Sequence, residues 1–165
     1  MKSSCNNNQY EAISVASDET HNELPLDQYW PYQVAVLADR IARRTTKIVK
    51  KRGLNLSQWR VMAAIAEVPG RTSVEVVTIT PMDKGIVSRA TKALLEMGLV
   101  RREASQSDGR LSHLHLTEEG SKLHDDLIPI VRSVALWADQ HLTSDRQSRL
   151  TKDLRILMDV MPDLR

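Results

Sequence analysis

Between Asn55 and Leu116 the chain is cut into pieces too short to be stable alone, and that punctuation limits the folds open to it. Asn55 with Gln58 makes a capping-box pattern, opening a helix that carries Trp59, Met62 and Ile65 as far as Glu67. Pro69-Gly70 is a turn. Thr72 with Glu75 repeats the capping pattern ahead of VEVVTIT, a β-branched run that local propensity alone assigns to a strand. The flanking order assigns it to a helix, and that is the reading adopted. Asp83 caps a third helix, Lys84 to Met97, burying Val87, Ala90, Leu94 and Met97 and ending at Gly98. An extended segment, Leu99–Ala104, and an alternating one, Leu111–Leu116, then enclose a polar turn, Ser105–Arg110.

Longer helices flank this block. From Asp27 to Arg52, Val34, Leu37, Ile41 and Ile48 recur at helical spacing, and Pro31 is tolerable in a first turn. The other faces hold Arg40, Arg43, Arg44, Lys47, Lys50, Lys51 and Arg52 against one acid, Asp39, before Gly53 stops the helix. Thr117 caps a long helix to about His141, with a bend expected at Pro129. Ser144 with Gln147 caps the last helix, which ends near Met161. These helices are too long to bury Leu123, Leu127, Val131, Val134, Leu154 and Leu157 in one small lobe, so a two-fold homodimer is expected through them. Residues 1–26 show no sustained period and read as a disordered tail. The expected division is therefore 1–26 tail and 27–165 folded domain, with 27–52 and 117–161 for dimerisation around a 55–116 lobe.

Composition excludes several classes. Phe is absent, so the core rests on Leu, Val, Ile and Met. Residues 1–30 carry one base and five acids, a net of −4, which against +2 for the whole chain leaves the folded part at +6. The single cysteine, Cys5, rules out an internal disulfide framework and a cysteine metal cage. No apolar run approaches the ~18–20 residues that span a bilayer, and no secretion signal opens the chain, so a soluble, cytoplasmic protein without membrane contact is expected. No nucleophile–base pair, Gly-rich phosphate loop or H-E-x-x-H pattern points to an enzyme or a cofactor.

A short helix pair followed by a β-hairpin is the layout of a winged helix-turn-helix, whose second short helix fits the DNA major groove. Opposite its apolar stripe, the Lys84–Met97 helix presents Lys84, Gly85, Ser88, Arg89 and Lys92. Ser88 and Arg89 suit base edges or phosphates, and Lys84 and Lys92 suit phosphates. Gly85 costs roughly 1 kcal/mol against Ala, which close approach to DNA would explain. A plain solvated face is the competing reading. Arg101 and Arg102 flank the hairpin, and its tip reads Ser107-Asp108-Gly109-Arg110. An arginine there reaches a narrow minor groove, and Asp108 can hold its guanidinium in place.

The run Asp83 to Gly120 resembles the multiple-antibiotic-resistance regulator (MarR) family. Val87-Ser88-Arg89, Leu95 to Arg102, Asp108 with Arg110, and Leu116-Thr117 with Gly120 match that family's pattern in order, and Leu54 to Ala66 and Met82-Asp83-Lys84 agree upstream. The resemblance covers roughly residues 28–161. It departs at Val76-Val77-Thr78-Ile79, where members carry a more helix-favouring segment. It implies a mainly α fold with a small β wing, a triangular dimer reading an inverted-repeat operator, repression, and a ligand cleft between dimer platform and DNA-binding lobe.

Trp30, Tyr32, Arg40, Arg43 and Trp59 lie on the helices that line the family's cleft, and aromatics with an arginine suit an aromatic carboxylate. The PYQVAVLADRIAR segment resembles members that respond to such acids or their thioesters. Core or interface aromatics with solvated arginines are the competing reading. Two rival functions stand beside this one: a winged-helix interaction module that binds no DNA, and an oxidant sensor using Cys5. His113 and His115 share one strand face but lack a third metal ligand in the sequence nearby, so a surface role is expected, as it is for His124.

Overall fold

The computed structural model describes residues 24–104 and 112–161. The described residues divide into two units, one up to Leu37 and one from Ala38, the boundary falling within helix α1 (Trp30–Lys50). In the first, the Pro25 carbonyl accepts the amides of Gln28 and Tyr29 at 2.9 and 3.1 Å. That turn delays helix α1 by three residues relative to the expected Asp27 start. Pro31 then occupies the first turn, where its missing amide leaves no intrahelical bond unmade.

In the second unit α1 is followed by α2 (Leu56–Glu67), α3 (Ser73–Ile79), α4 (Lys84–Glu96), β1 (Val100–Ala104), β2 (Ser112–Leu116), α5 (Glu118–Asp139) and α6 (Ser144–Val160). The order is the expected one, and the fold is mainly α with a small antiparallel sheet. Local side chains set most helix starts. Asn55 and Gln58 exchange side-chain and backbone hydrogen bonds at 2.9 and 2.7 Å. Thr72 and Glu75 do the same, and the Asp83 carboxylate accepts the Ile86 amide at 2.7 Å. The two hydrogen bonds from Thr72, backbone first and hydroxyl second, hold the Glu75 carboxyl below its ordinary range, so the cap is charged at neutral pH. One expected cap is displaced: α6 is opened by Thr143, whose hydroxyl accepts from Arg146, rather than by Ser144.

The β-branched α3 is helical because burial overrides its propensity. Val76 is fully buried and Val77 packs against the core, while Val74 and Ile79 stay exposed. That core is built around Met62, Ile65, Leu94, Leu114 and Leu127, so branched and sulfur-bearing side chains fill it without phenylalanine. Thr91 of α4 is buried among them, and its hydroxyl has no hydrogen-bond partner among the described residues. An orphaned buried hydroxyl destabilises the fold, so Thr91→Val is expected to gain about 1 kcal/mol in urea unfolding. A loss of stability would show that the hydroxyl does find a partner.

The two strands pair antiparallel from Val100↔Leu116 to Ala104↔Ser112. Residues 70–72 fasten to the other edge of β2. Gly70 donates to the Leu114 carbonyl, Leu114 donates to the Arg71 carbonyl, each at 3.0 Å, and Thr72 bridges His113. The loop between α2 and α3 is thereby sewn to the hairpin.

Helix α5 continues unbroken through Pro129. Its inner face corrects part of the expectation for assembly. Leu127 is fully buried in this chain's own core and so is not left over for a partner, while Leu123 and Val131 are partly buried against that core. The large apolar residues left exposed on these two helices are Ile130, Leu136 and Trp137 on α5 and Leu150, Ile156, Met158 and Val160 on α6. Helix α6 buries none of its residues within the chain.

Candidate nucleic-acid interface

Helix α4 is amphipathic by construction. Val87, Ala90, Thr91 and Leu94 face the core, and Lys84, Gly85, Ser88, Arg89 and Lys92 are all exposed on the opposite side. Among the described residues no ion pair is recorded for Lys84 or Arg89, whereas Lys92 lies 3.8 Å from Glu96 one turn on. A Cβ added at Gly85 would meet only the ends of Asp83 and Arg89, at 3.2 and 3.4 Å. Nothing inside the chain therefore demands glycine there, and its absence of a side chain leaves the start of the helix open to an approaching surface.

Beside α4 stands the hairpin. Arg102 is exposed, while Arg101 is engaged by Glu103 on the same strand. That arginine, and more weakly the neighbouring histidines, hold the Glu103 carboxyl below its ordinary range. Asp108 and Arg110, the expected wing-tip pair, lie outside the described residues, as does Cys5. The two histidines are not the free surface face expected for them. His113 Nδ1 is 2.7 Å from the Gly70 carbonyl, and His115 Nε2 is 3.2 Å from Glu103. Both are half-buried parts of the hairpin root.

A cleft of about 560 Å³ opens on the other side of α2, between its outer face, the end of α3 and the middle of α5. Trp59 forms one wall and stacks on His124, with ring centroids 5.5 Å apart and planes 16° from parallel. The His124 side chain is 14% exposed, so it is not the solvated residue expected. Ala63, Ile79 and Ile128 supply apolar lining, and Arg60 and Arg132 supply cations. Of the five residues singled out for a ligand, only Trp59 lines this cleft. Arg40 is exposed, and Arg43 is bonded to Asp39, its Nε 2.8 Å from the carboxylate. Asp39 raises the Arg43 pKa above its ordinary value, first by hydrogen bonding and then by charge. Trp30 and Tyr32 are exposed on the first turns of α1. Arg60 and Arg132 were missed, although Arg60 adjoins Trp59, and His124, Ile128 and Arg132 repeat every fourth residue along α5.

Three capped helices, a hairpin sewn to their loop and a basic exposed helix face define a winged helix-turn-helix protein. The chain belongs to the MarR family of transcription regulators. A family model described as MarR family matches residues 52–111. Transcriptional regulator HosA of Escherichia coli O157:H7 is 31% identical over 106 residues, which is 64% of this chain and 78% of that protein. HTH-type transcriptional repressor IacR of Pseudomonas putida is 25% identical over 143 residues, covering 86% and 83%. A MarR family transcriptional regulator from Silicibacter pomeroyi has a similar structure, with a TM-score of 0.74, 26% identity and coverage of 87% and 99%. The chain is thus a regulator and not an enzyme. Among its described residues no helix is long and apolar enough to cross a membrane.

Proposed function

We propose that this protein is a homodimeric repressor that reads an inverted-repeat operator and leaves it when an aromatic carboxylate binds. The observation that carries the reading is the α4 face, where Lys84, Gly85, Ser88, Arg89 and Lys92 are exposed together with no acid among them. A helix so dressed suits the major groove, with Arg89 and Ser88 at base edges and the two lysines on phosphates. Asp108 and Arg110 serve the minor groove from the wing tip. The uncovered apolar residues of α5 and α6 are the surface a second copy would bury. Repression is supported by the similarity to IacR, an HTH-type transcriptional repressor.

The effector reading moves from Arg40 and Arg43 to the cleft around Trp59. Its aromatic wall takes a flat ring, and the guanidinium of Arg60 or Arg132 can fork a carboxylate. The test is protection of operator DNA by the purified protein together with light scattering. Two protected half-sites about 10 bp apart and a dimer mass are expected, with benzoate weakening the protection. A monomer at micromolar concentration, or protection without two-fold symmetry, would sink the reading.

A further inference from the structure

The end of α1 carries charge that neither the α4 face nor the Trp59 cleft uses. Lys47, Lys50, Lys51 and Arg52 follow one another within six residues, and all are exposed. A helix C-terminus attracts cations, but that attraction is confined to the last turn and does not call for so many. Lys47 lies in the last turn of α1 and Lys51 just past its end, so their like charges sit close together. Asp39, the only acid between Ala38 and Gly53, is taken by Arg43 higher on the helix. Asp126 approaches Arg52 only to 4.0 Å, with both side chains about half exposed.

These bases surround a hollow. Lys47, Lys51 and Arg52, with Ile48 of α1 and Ile130 of α5, line a space of about 290 Å³. Three cations line it, one of them, Arg52, at the edge of ion-pair reach from Asp126, and two isoleucines add apolar lining. A monocarboxylate brings too little charge to neutralise the group. Phosphates match it better, because lysine ammonium groups bind them as point charges and an arginine forks their oxygens. The apolar lining calls for an organic body beside the charge. We propose that this hollow binds a small organic diphosphate of the nucleoside diphosphate kind. Its phosphates rest on Lys47, Lys51 and Arg52, and its organic part covers Ile48 and Ile130.

Calorimetric titration of the full chain with ADP and with inorganic pyrophosphate tests this, at an ionic strength matched with sodium chloride. Saturable binding at one site per chain, tighter than about 1 mM, is expected for ADP, and weaker binding for pyrophosphate. The double variant Lys47→Gln/Lys51→Gln should lose at least about tenfold in ADP affinity, a tenfold loss being the usual measure of one strong contact. It should keep its urea midpoint and its operator affinity, since both side chains are exposed and neither belongs to α4. Arg89→Ala should bind ADP as the parent does. The proposal is overturned by an absence of saturable binding, or by a double variant that binds ADP unchanged. It is also overturned if the double variant loses operator affinity while ADP binding stays, because the bases would then serve the DNA backbone. ADP binding no tighter than pyrophosphate would remove the organic part of the assignment.

Discussion

Gly120→Ala is expected to cost about 3 kcal/mol or more of folding stability, at the upper end of what overpacking a filled site does. A Cβ at Gly120 would stand 1.9 Å from the Leu99 carbonyl oxygen and 2.9 Å from its carbon. The obstruction is backbone, so no side chain can swing aside. Nor can that carbonyl retreat freely, because it accepts the Thr117 amide at 3.1 Å. The Thr117 hydroxyl completes the knot, donating to the Gly98 carbonyl at 2.7 Å and accepting the Gly120 amide at 3.0 Å. Gly98 itself sits at φ +71°, the left-handed conformation that ends α4 and turns the chain into β1. The first turn of α5 is therefore pressed against the exit of α4, and only a glycine lets it come so close. Urea unfolding should show the midpoint falling with the slope retained. A loss below about 1 kcal/mol would mean that α5 can shift away without cost.

The second large effect separates the recognition helix from the wing. Arg89→Ala is expected to cost roughly 1–3 kcal/mol of operator affinity, concentrated at one base pair, because the proposed reading sets this exposed α4 arginine at a base edge. Arg110→Ala should weaken operator and scrambled duplexes alike, and lower the salt slope by about one unit, as losing a backbone or minor-groove contact does. Salt-dependent titrations with both duplexes distinguish the two roles. Arg89 is exposed and holds no recorded ion pair among the described residues, so its removal leaves the fold intact. If Arg110→Ala left affinity for every duplex unchanged, the wing would carry no DNA contact, and an interaction module would become the better reading.

What could be read from the sequence follows from how far apart the interacting groups lie. Helix starts at Asn55, Thr72 and Asp83 were legible because donor and acceptor are three residues apart, and no distant contact can alter that geometry. Helix α3 was ambiguous for the opposite reason: its residues prefer a strand, and only burial of Val76 against other elements settles the matter. The polar face of α4 was legible from spacing alone. The cleft was not, since Trp59 meets His124, Ile128 and Arg132 across more than sixty residues of chain. Nothing in the local pattern favoured Arg132 over Arg40 or Arg43. The same distance hid the contact of His113, whose partner Gly70 lies over forty residues upstream, while His115 meets Glu103 of the paired strand. Leu123, Leu127 and Val131 looked like dimer contacts because their periodicity says only that they are buried, not by which chain.

The loop sewn to β2 has a mechanical consequence. Gly70 and Arg71 bind Leu114 while Arg71 also clamps the end of α2, its guanidinium donating to the Ala64 carbonyl and to Glu67, each at 2.7 Å. A displacement of α2 is thus transmitted to the hairpin and to the α3–α4 pair together, as in a single lever with two prongs. An effector wedged against Trp59 has little means of loosening the wing while leaving the reading helix in place. In the proposed two-fold dimer the quantity left to change would be the distance and angle between one lever and its twin. Release from DNA would then come from losing the fit to two successive grooves, with each half-site reader still folded and still able to recognise its own bases.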